Sequence, residues 1–338
     1  MSEQRHRYAV QQTVAALGAQ GQALLQAAHV LVVGAGGLGA ALLPLLVGAG
    51  VGHIVLLDSD VVEVSNLHRQ TLYRQTDIGQ LKALAAERTL HALNPDVHIA
   101  AHPIALTPAC AAAFVQAAHI VVDAADNVAV TYTLSDHCQA TGRPFVSGSA
   151  LGLRGYAGVF CDTVPSYRAV FPSFPIQAGN CAEAGVLGPV VAAIGSIMAH
   201  CVMALIVPVS RCVRGQLVSW DAQQMAFSQF DFRHATEPQA PHARAPFVSV
   251  SQLSQTDVVI DLRADHEQPP LAWPGVRRTS LDQLPQQLRH VGKESRLVFC
   301  CRSGIRAARA AQHAAAEGFS NLALMAVAPP RATAQTAE

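Results

Sequence analysis

Gly34, Gly36 and Gly39 stand in the stretch VVGAGGLGA, between an apolar run and a helix-like one. Their spacing is G-x-G-x-x-G, in which absent side chains let backbone N–H groups and a helix N-terminus approach phosphates closely. Asp58 follows Gly39 by 19 residues, where a nicotinamide enzyme keeps its ribose-binding acid. The loop alone suits several nucleotides, and also a tight strand-to-helix turn that binds nothing. The segment downstream, LLDSDVVEVSNLHRQTLYRQTDIGQLKA, narrows the chemistry. Asn66 and Arg69 are three residues apart, which places them on one face if this piece is helical, and Lys82 lies 13 further on. A bound hydride carrier does not need such a cluster. Attack on a triphosphate does, because charge on the α-phosphate and the departing pyrophosphate must be met by preplaced donors, each worth about 3 kcal/mol of barrier. Taken singly, Asp58, Asp60 and Asp126 also read as turn or helix caps, and Arg69 and Lys82 as solvated surface charges.

A second group of reactive residues lies near the C-terminus, in FCCRSGIRAA. Cys301, Arg302, Ser303, Gly304, Ile305 and Arg306 form a loop between an apolar strand and a helical run. Successive N–H groups in such a loop, with the helix N-terminus behind them, make an anion cradle that favours a thiolate at its start. Strand alternation turns Cys300 toward the core. Without chemistry, Cys301 is simply a thiol at a helix start.

With GAGGLG, DSDVVEVSNLHRQ, GQLKA, DAADNVAV, VSGSA and NCAEAGVLGPVVAAIGS in this order, residues 7 to 230 resemble the ubiquitin-activating-enzyme-like adenylyltransferases (the ThiF/MoeB/HesA family). These activate ubiquitin-like sulfur carriers for molybdopterin and thiamine synthesis. The resemblance implies ATP and Mg2+ as cofactors, a carrier ending in Gly-Gly as partner, and a homodimer. Attack of the carrier's C-terminal carboxylate on the α-phosphate gives an acyl-adenylate. The resemblance places Gly37 at the phosphates with Gly34, Gly36 and Gly39, Asp58 on the ribose beside Asp60, and Ser65, Asn66, Leu67, His68 and Arg69 along the nucleotide. Lys82 neutralises phosphate charge, and Asp126 with Asn127 holds magnesium or ATP. Cys181 coincides with the cysteine that forms a thioester or acyl-disulfide with the carrier in some relatives; its other reading is a buried structural thiol. Residues 247 to 325 resemble rhodanese-like sulfurtransferases through DVVIDLR, PGVRRTSLDQL and CRSGIR. That resemblance implies a persulfide on Cys301 and a sulfur donor such as a cysteine desulfurase.

The chain departs from these patterns at three places. Many relatives hold a structural zinc through two C-x-x-C pairs, whereas the segment SYRAVFP has Ser166 and Ala169, and the second pair is missing near FDFRHATEP. Serine and alanine supply no thiolate or imidazole, so no structural zinc is expected. The N-terminal RYAVQQ has Val10 where the family has an arginine that reaches the partner subunit's ATP site, with Arg5 and Arg7 as possible substitutes. ALMAVAPP replaces the glycine-rich turn and closing helix expected at the end of the rhodanese-like module. A carrier-docking scaffold without catalysis therefore stands as an alternative, and a nicotinamide oxidoreductase as a third reading.

The elements that must position these residues alternate between strand and helix. HVLVVG, HIVLLD, HIVVDA and PFVSGS read as strands, with ALLPLLVGAG and QLKALAAERTLHAL as helices between them, which argues for a doubly wound, Rossmann-like α/β sheet with helices on both faces. The expected domains are 1–233 for adenylyl transfer, a Pro/Ala-rich linker at 234–246, a small α/β rhodanese-like domain at 247–326, and a disordered tail at 327–338. Within the second module, FVSVSQL, DVVIDLR and RLVFCCRSG precede a helical IRAARAAQHAAAEGF.

Lysine plus arginine equals aspartate plus glutamate at 23 each, with no basic block, which argues against nucleic acid or an anionic membrane as partner. The stretch 184–210 is free of charged residues and long enough to span a bilayer, but its glycines, proline and alternating small residues read better as a buried core helix. Eight unevenly spaced cysteines behind a polar N-terminus read as reduced thiols of a cytoplasmic protein.

Overall fold

The computed structural model describes residues 7–174, 185–207, 213–267, 269 and 271–327. Cys181 and the tail from 328 onward lie outside the described residues. The first sheet has eight strands: β1 His29–Val33, β2 His53–Leu57, β3 His98–His102, β4 Ile120–Asp123, β5 Phe145–Leu151, β6 Arg154–Phe160, β7 Gln216–Asp221 and β8 Ala226–Asp231. Their order is β3-β2-β1-β4-β5-β6-β7-β8. The five strands from β3 to β5 are parallel, and the rest are antiparallel additions. The alternating strand and helix runs anticipate the parallel half. The antiparallel half departs from that pattern because only Gly152 and Leu153 separate β5 from β6, too few for a crossover.

Chain order reverses between β1 and β4, opening a crevice beyond their carboxyl ends. The helix Gly37–Gly48 starts directly after the glycine loop that follows β1. It is apolar on nearly all sides because it lies between the sheet and a second apolar helix, Gly188–Ile206. The two helices approach closely: a Cβ on Gly195 would stand 2.6 Å from that of Ala41. Within the 184–210 stretch, Gly188–Ile206 thus forms a core-facing helix, with Val190, Val191, Ile194, Met198 and Val202 buried.

Four histidines cross the amino ends of adjacent parallel strands. His98, His53 and His29 are in register, and His119 precedes β4 next to them. The His29 and His53 rings stack at 4.2 Å, and His29 N–H donates to His119 Nδ1 at 3.2 Å. Partial burial, then the charges of His29 and His98, hold His53 below the usual imidazole range; partial burial, then His29 and Arg143, do the same at His119. The folded state therefore takes up fewer protons than the unfolded chain, so this contribution to stability is full above the unfolded value of 6.5 and is lost as pH falls below it. Urea midpoints should decline from pH 7.5 to pH 5, and less steeply in His53→Gln. Equal slopes in both proteins would show that the row does not act.

The second sheet is four-stranded and parallel, in the order β10-β9-β11-β12, with β9 Val258–Asp261, β10 Arg277–Arg278, β11 Leu297–Cys301 and β12 Leu322–Ala326. ALMA forms most of β12. FVSVSQL supplies only a bridge from Phe247 to Leu324 and a 3-10 turn at Val250–Gln252. Residues 234–246 include a short helix, Pro241–Arg244, and bury Ala243 and Ala245. Arg168 is buried and donates to the carbonyls of Ala243 at 2.7 Å and Ala245 at 3.1 Å while gripping Asp136 with two nitrogens.

Candidate active site

The glycine loop is shaped by its neighbours. Gly34 has φ +103°, and a Cβ there would stand 2.6 Å from the Ala124 carbonyl oxygen, so only glycine fits against the loop that follows β4. A Cβ on Gly39 would stand 2.1 Å from the Gly34 carbonyl oxygen, which is why the third glycine is needed where helix meets strand. Gly37 begins the helix, and a side chain there would strike Val191. Asp58, at the end of β2, accepts Ala35 N–H at 2.7 Å and Asp60 N–H at 2.7 Å. It caps its own turn and pins the glycine loop at once.

The polar cluster converges on this loop. Lys82 opens the helix Lys82–Leu93, is buried, and reaches Asp60 at 3.2 Å. Burial pulls its pKa down, and attraction to Asp58, Asp126 and Glu63 opposes that fall. Tyr73, also buried, donates its hydroxyl to the Ala35 carbonyl at 2.7 Å. Residues 64–66 form a 3-10 turn. Asn66 spends its amide inside that turn, accepting from Glu63 N–H and donating to Ser65 Oγ, so it shapes the segment. Arg69 is partly exposed, donating to the Ser65 carbonyl at 3.0 Å and lying 2.7 Å from His68 Nε2. Ser65 and His68 are exposed, and Leu67 packs on the core.

Beyond β4 the two motif residues separate in role. Asn127 is the helix cap, accepting Ala129 N–H at 2.9 Å and Val130 N–H at 3.4 Å. Asp126, the other cap candidate, is exposed and makes no hydrogen bond among the described residues. The sequence reading passed over Asp123, which is buried and accepts from Ala125 N–H at 3.1 Å and Ser147 Oγ at 3.1 Å. Burial pushes it up to about 6 against those hydrogen bonds and one from Thr131. It anchors the loop that carries Asp126.

In the second module Cys301 ends β11 with its sulfur facing Gly304 N–H at 3.1 Å and Ala307 N–H at 3.4 Å. The thiol is buried, and a Cβ on Gly304 would meet the Phe247 ring at 2.6 Å. Arg306 is held by Glu267 and by the Leu262 carbonyl, which leaves Arg302 as the exposed cation of the loop, with Ser303 partly exposed and Ile305 buried. The Arg306 hydrogen bond holds the Glu267 carboxyl down at about 2. Cys300 packs on the opposite side of the sheet, among Val259, Val298 and Met325, and burial raises its thiol to about 12.

At the positions compared with zinc ligands, Ser166 gives its N–H and hydroxyl to Glu237 at 2.7 and 2.6 Å. Among the described residues no three His, Cys, Asp or Glu side chains are grouped to hold a metal. Val10 is 83% exposed, and Arg7 donates to the Leu93 carbonyl of its own chain.

The ThiF family profile matches residues 8–241. The chain belongs to the ThiF family. This ThiF chain is 38% identical over 247 residues to the sulfur carrier protein adenylyltransferase of Thermus thermophilus, covering 71% of itself and 90% of that protein. It is 30% identical to the probable adenylyltransferase/sulfurtransferase MoeZ of Mycobacterium tuberculosis, covering 94% of itself and 90% of that protein. It is 40% identical to the adenylyltransferase and sulfurtransferase MOCS3 of Anopheles gambiae over 71% of itself, but spans only 55% of that longer chain. Its fold is shared by the E. coli MccB structure solved with ATP, at TM-score 0.59, 20% identity and coverage of 67% of this chain and 72% of that one.

Proposed function

We propose that the chain adenylates the C-terminal glycine of a ubiquitin-like sulfur carrier with MgATP and then supports its conversion to a thiocarboxylate. The observation that carries this reading is the convergence of the glycine loop, buried Lys82 and uncommitted Asp126 at one strand-order reversal. The names of the relatives from Thermus and Mycobacterium support it. Lys82 meets phosphate charge from inside the fold, Arg69 meets it from the solvent side, and the helix N-terminus at Gly37 adds a partial positive charge. The carrier carboxylate forms a bond to the α-phosphorus as the bond to pyrophosphate breaks. Asp126 fits Mg2+, since an exposed, uncommitted carboxylate beside substrate phosphates is the usual protein share of that site. Magnesium, when bound, would offset the charge of the phosphates.

The terminal sulfur of a Cys301 persulfide, loaded by a donor such as a cysteine desulfurase, then attacks the adenylate carbonyl and AMP leaves. A second thiol, Cys181 or an external one, attacks the Cys301 sulfur of the resulting acyl disulfide, so that a disulfide to Cys301 forms as the thiocarboxylate leaves; a thiol reductant then restores Cys301. The chain acts as a homodimer, and six free cysteines among the described residues support a reducing compartment, the cytoplasm.

Carrier docking without activation is the second reading, favoured by Val10 where relatives supply an arginine. ATP–pyrophosphate exchange decides between them. Exchange dependent on a Gly-Gly carrier supports adenylation, and its absence with every carrier tried, in folded protein, rules adenylation out.

A further inference from the structure

We propose that Arg168 is a positioning residue for sulfur transfer: it clamps residues 243–247 to the first module, and that segment holds Phe247 over the Cys301 loop, so that the first module keeps the sulfur site shut at rest. Its functional part rests on the sulfur-relay reading above.

Arg168 is buried, and its donors are divided between the two modules. Two of its nitrogens grip Asp136, on the helix Val128–Thr141, at 2.6 and 2.8 Å. It also donates to the carbonyls of Ala243 at 2.7 Å and Ala245 at 3.1 Å, on the approach to the second module. The helix Pro241–Arg244 has four residues, too few to be stable through its own hydrogen bonds, so its place depends on what holds it. It packs against the helix Ile305–Ala316, which starts at the Cys301 loop. Phe247 follows and is buried, with its ring against Gly304. From the first module, Phe174 meets the Phe247 ring edge-to-face at 6.0 Å and stacks on Tyr132 at 4.3 Å. The Arg168 guanidinium lies 4.9 Å over that same Tyr132 ring.

These contacts close the site. Cys301 has 0% exposure, yet a persulfide carrier must receive and release its sulfur, so donors reach it only in a locally opened state. Phe247 joins the second sheet through a single bridge to Leu324, and lifting it can open the loop without unfolding the strands. What resists that lifting is Arg168. The Asp136 carboxylate is 32% exposed and can be solvated without a buried partner, so pairing with Asp136 alone gives no reason to bury a guanidinium here. Spanning the carboxylate and two carbonyls of the other segment does, because only a planar fork reaches all three.

The test is iodoacetamide alkylation of the full chain, read at each cysteine by peptide mass spectrometry, in wild type, Arg168→Lys, Phe247→Ala and the double variant. Lysine keeps the charge beside Asp136 but cannot also hold both carbonyls, and Phe247→Ala leaves the clamp intact while removing the cover. Either replacement should speed alkylation of Cys301 about tenfold, the effect of one or two lost hydrogen bonds on local opening. Cys300, on the far side of the same sheet, and Cys138, in the first module, should stay protected. The double variant should be no faster than Phe247→Ala, since Arg168 acts through Phe247. Loading from thiosulfate, in which the Cys301 thiolate takes the outer sulfur as the S–S bond breaks and sulfite leaves, should rise in parallel, with pyrophosphate exchange unchanged. Unchanged Cys301 alkylation in both single variants, a parallel rise at Cys300 or Cys138, or multiplied rates in the double variant would overturn the clamp. Absence of sulfur on Cys301 with every donor would instead remove the relay reading, while alkylation would still report on the clamp.

Discussion

Replacing Lys82 with alanine should slow carrier-dependent ATP–pyrophosphate exchange by about two to three orders of magnitude, the usual cost of removing one preorganised charge from a transition state. Lys82 is the cation most firmly built into the crevice. It is buried at a helix start, its N–H bonded to the Asp60 carbonyl and its ammonium to the Asp60 carboxylate. Asp58, Glu63 and Asp126 all act on it electrostatically. Without it these carboxylates face one another and the incoming phosphates with no buried counter-charge. The variant should therefore lose affinity for ATP more than for adenosine, and its melting temperature should rise at higher salt, which screens the acidic residues. Arg69→Ala removes a more exposed group and should cost less. Equal exchange rates in Lys82→Ala and wild type would place the reacting phosphates elsewhere.

Cys301→Ser should abolish thiocarboxylate formation while leaving pyrophosphate exchange within about twofold of wild type, since serine cannot carry a persulfide sulfur. The sulfur accepts from the N–H groups of Gly304 and Ala307, and Cys300 is turned to the other face of the sheet with its thiol raised by burial. Cys300→Ser should therefore retain sulfur transfer. Mass spectrometry after incubation with a desulfurase system reads the difference directly as one added sulfur, lost in Cys301→Ser and kept in Cys300→Ser. Cys301 is fully buried beneath a loop that packs on Phe247, so wild type should load sulfur slowly and Phe247→Ala faster. Persulfide on Cys301→Ser at wild-type level would end the relay assignment.

Four of the five parallel strands of the first sheet, β1, β2, β4 and β5, were legible as short β-rich apolar runs set among helical and turn-like stretches, and GAGGLG marks the turn between β1 and its helix. β3 was not, since HIAAH is short, alanine-rich and flanked by histidines. The β7–β8 hairpin was missed because β8, AFSQFD, is exposed along its whole length, and an uncovered strand leaves no buried stripe to read. In the site, residue types announced Asp58, Lys82 and Asp126, but not their division of labour. Asn127 proved to be the cap that leaves Asp126 uncommitted. Asp123 and Tyr73 act through burial and long-range contacts to Ser147 and Ala35, which spacing does not encode. The replacement at Ser166 was visible as a lost ligand. Its bond to Glu237, 71 residues on, required the fold.

The most direct measurement is intact-mass spectrometry of a Gly-Gly-ending carrier after a single turnover with this chain, ATP and magnesium, with no sulfur source. A carrier heavier by one adenylyl group, absent when ATP is omitted and absent with Lys82→Ala, is the predicted result. A carrier of unchanged mass that nevertheless binds the folded chain would contradict adenylation and leave carrier docking as its role.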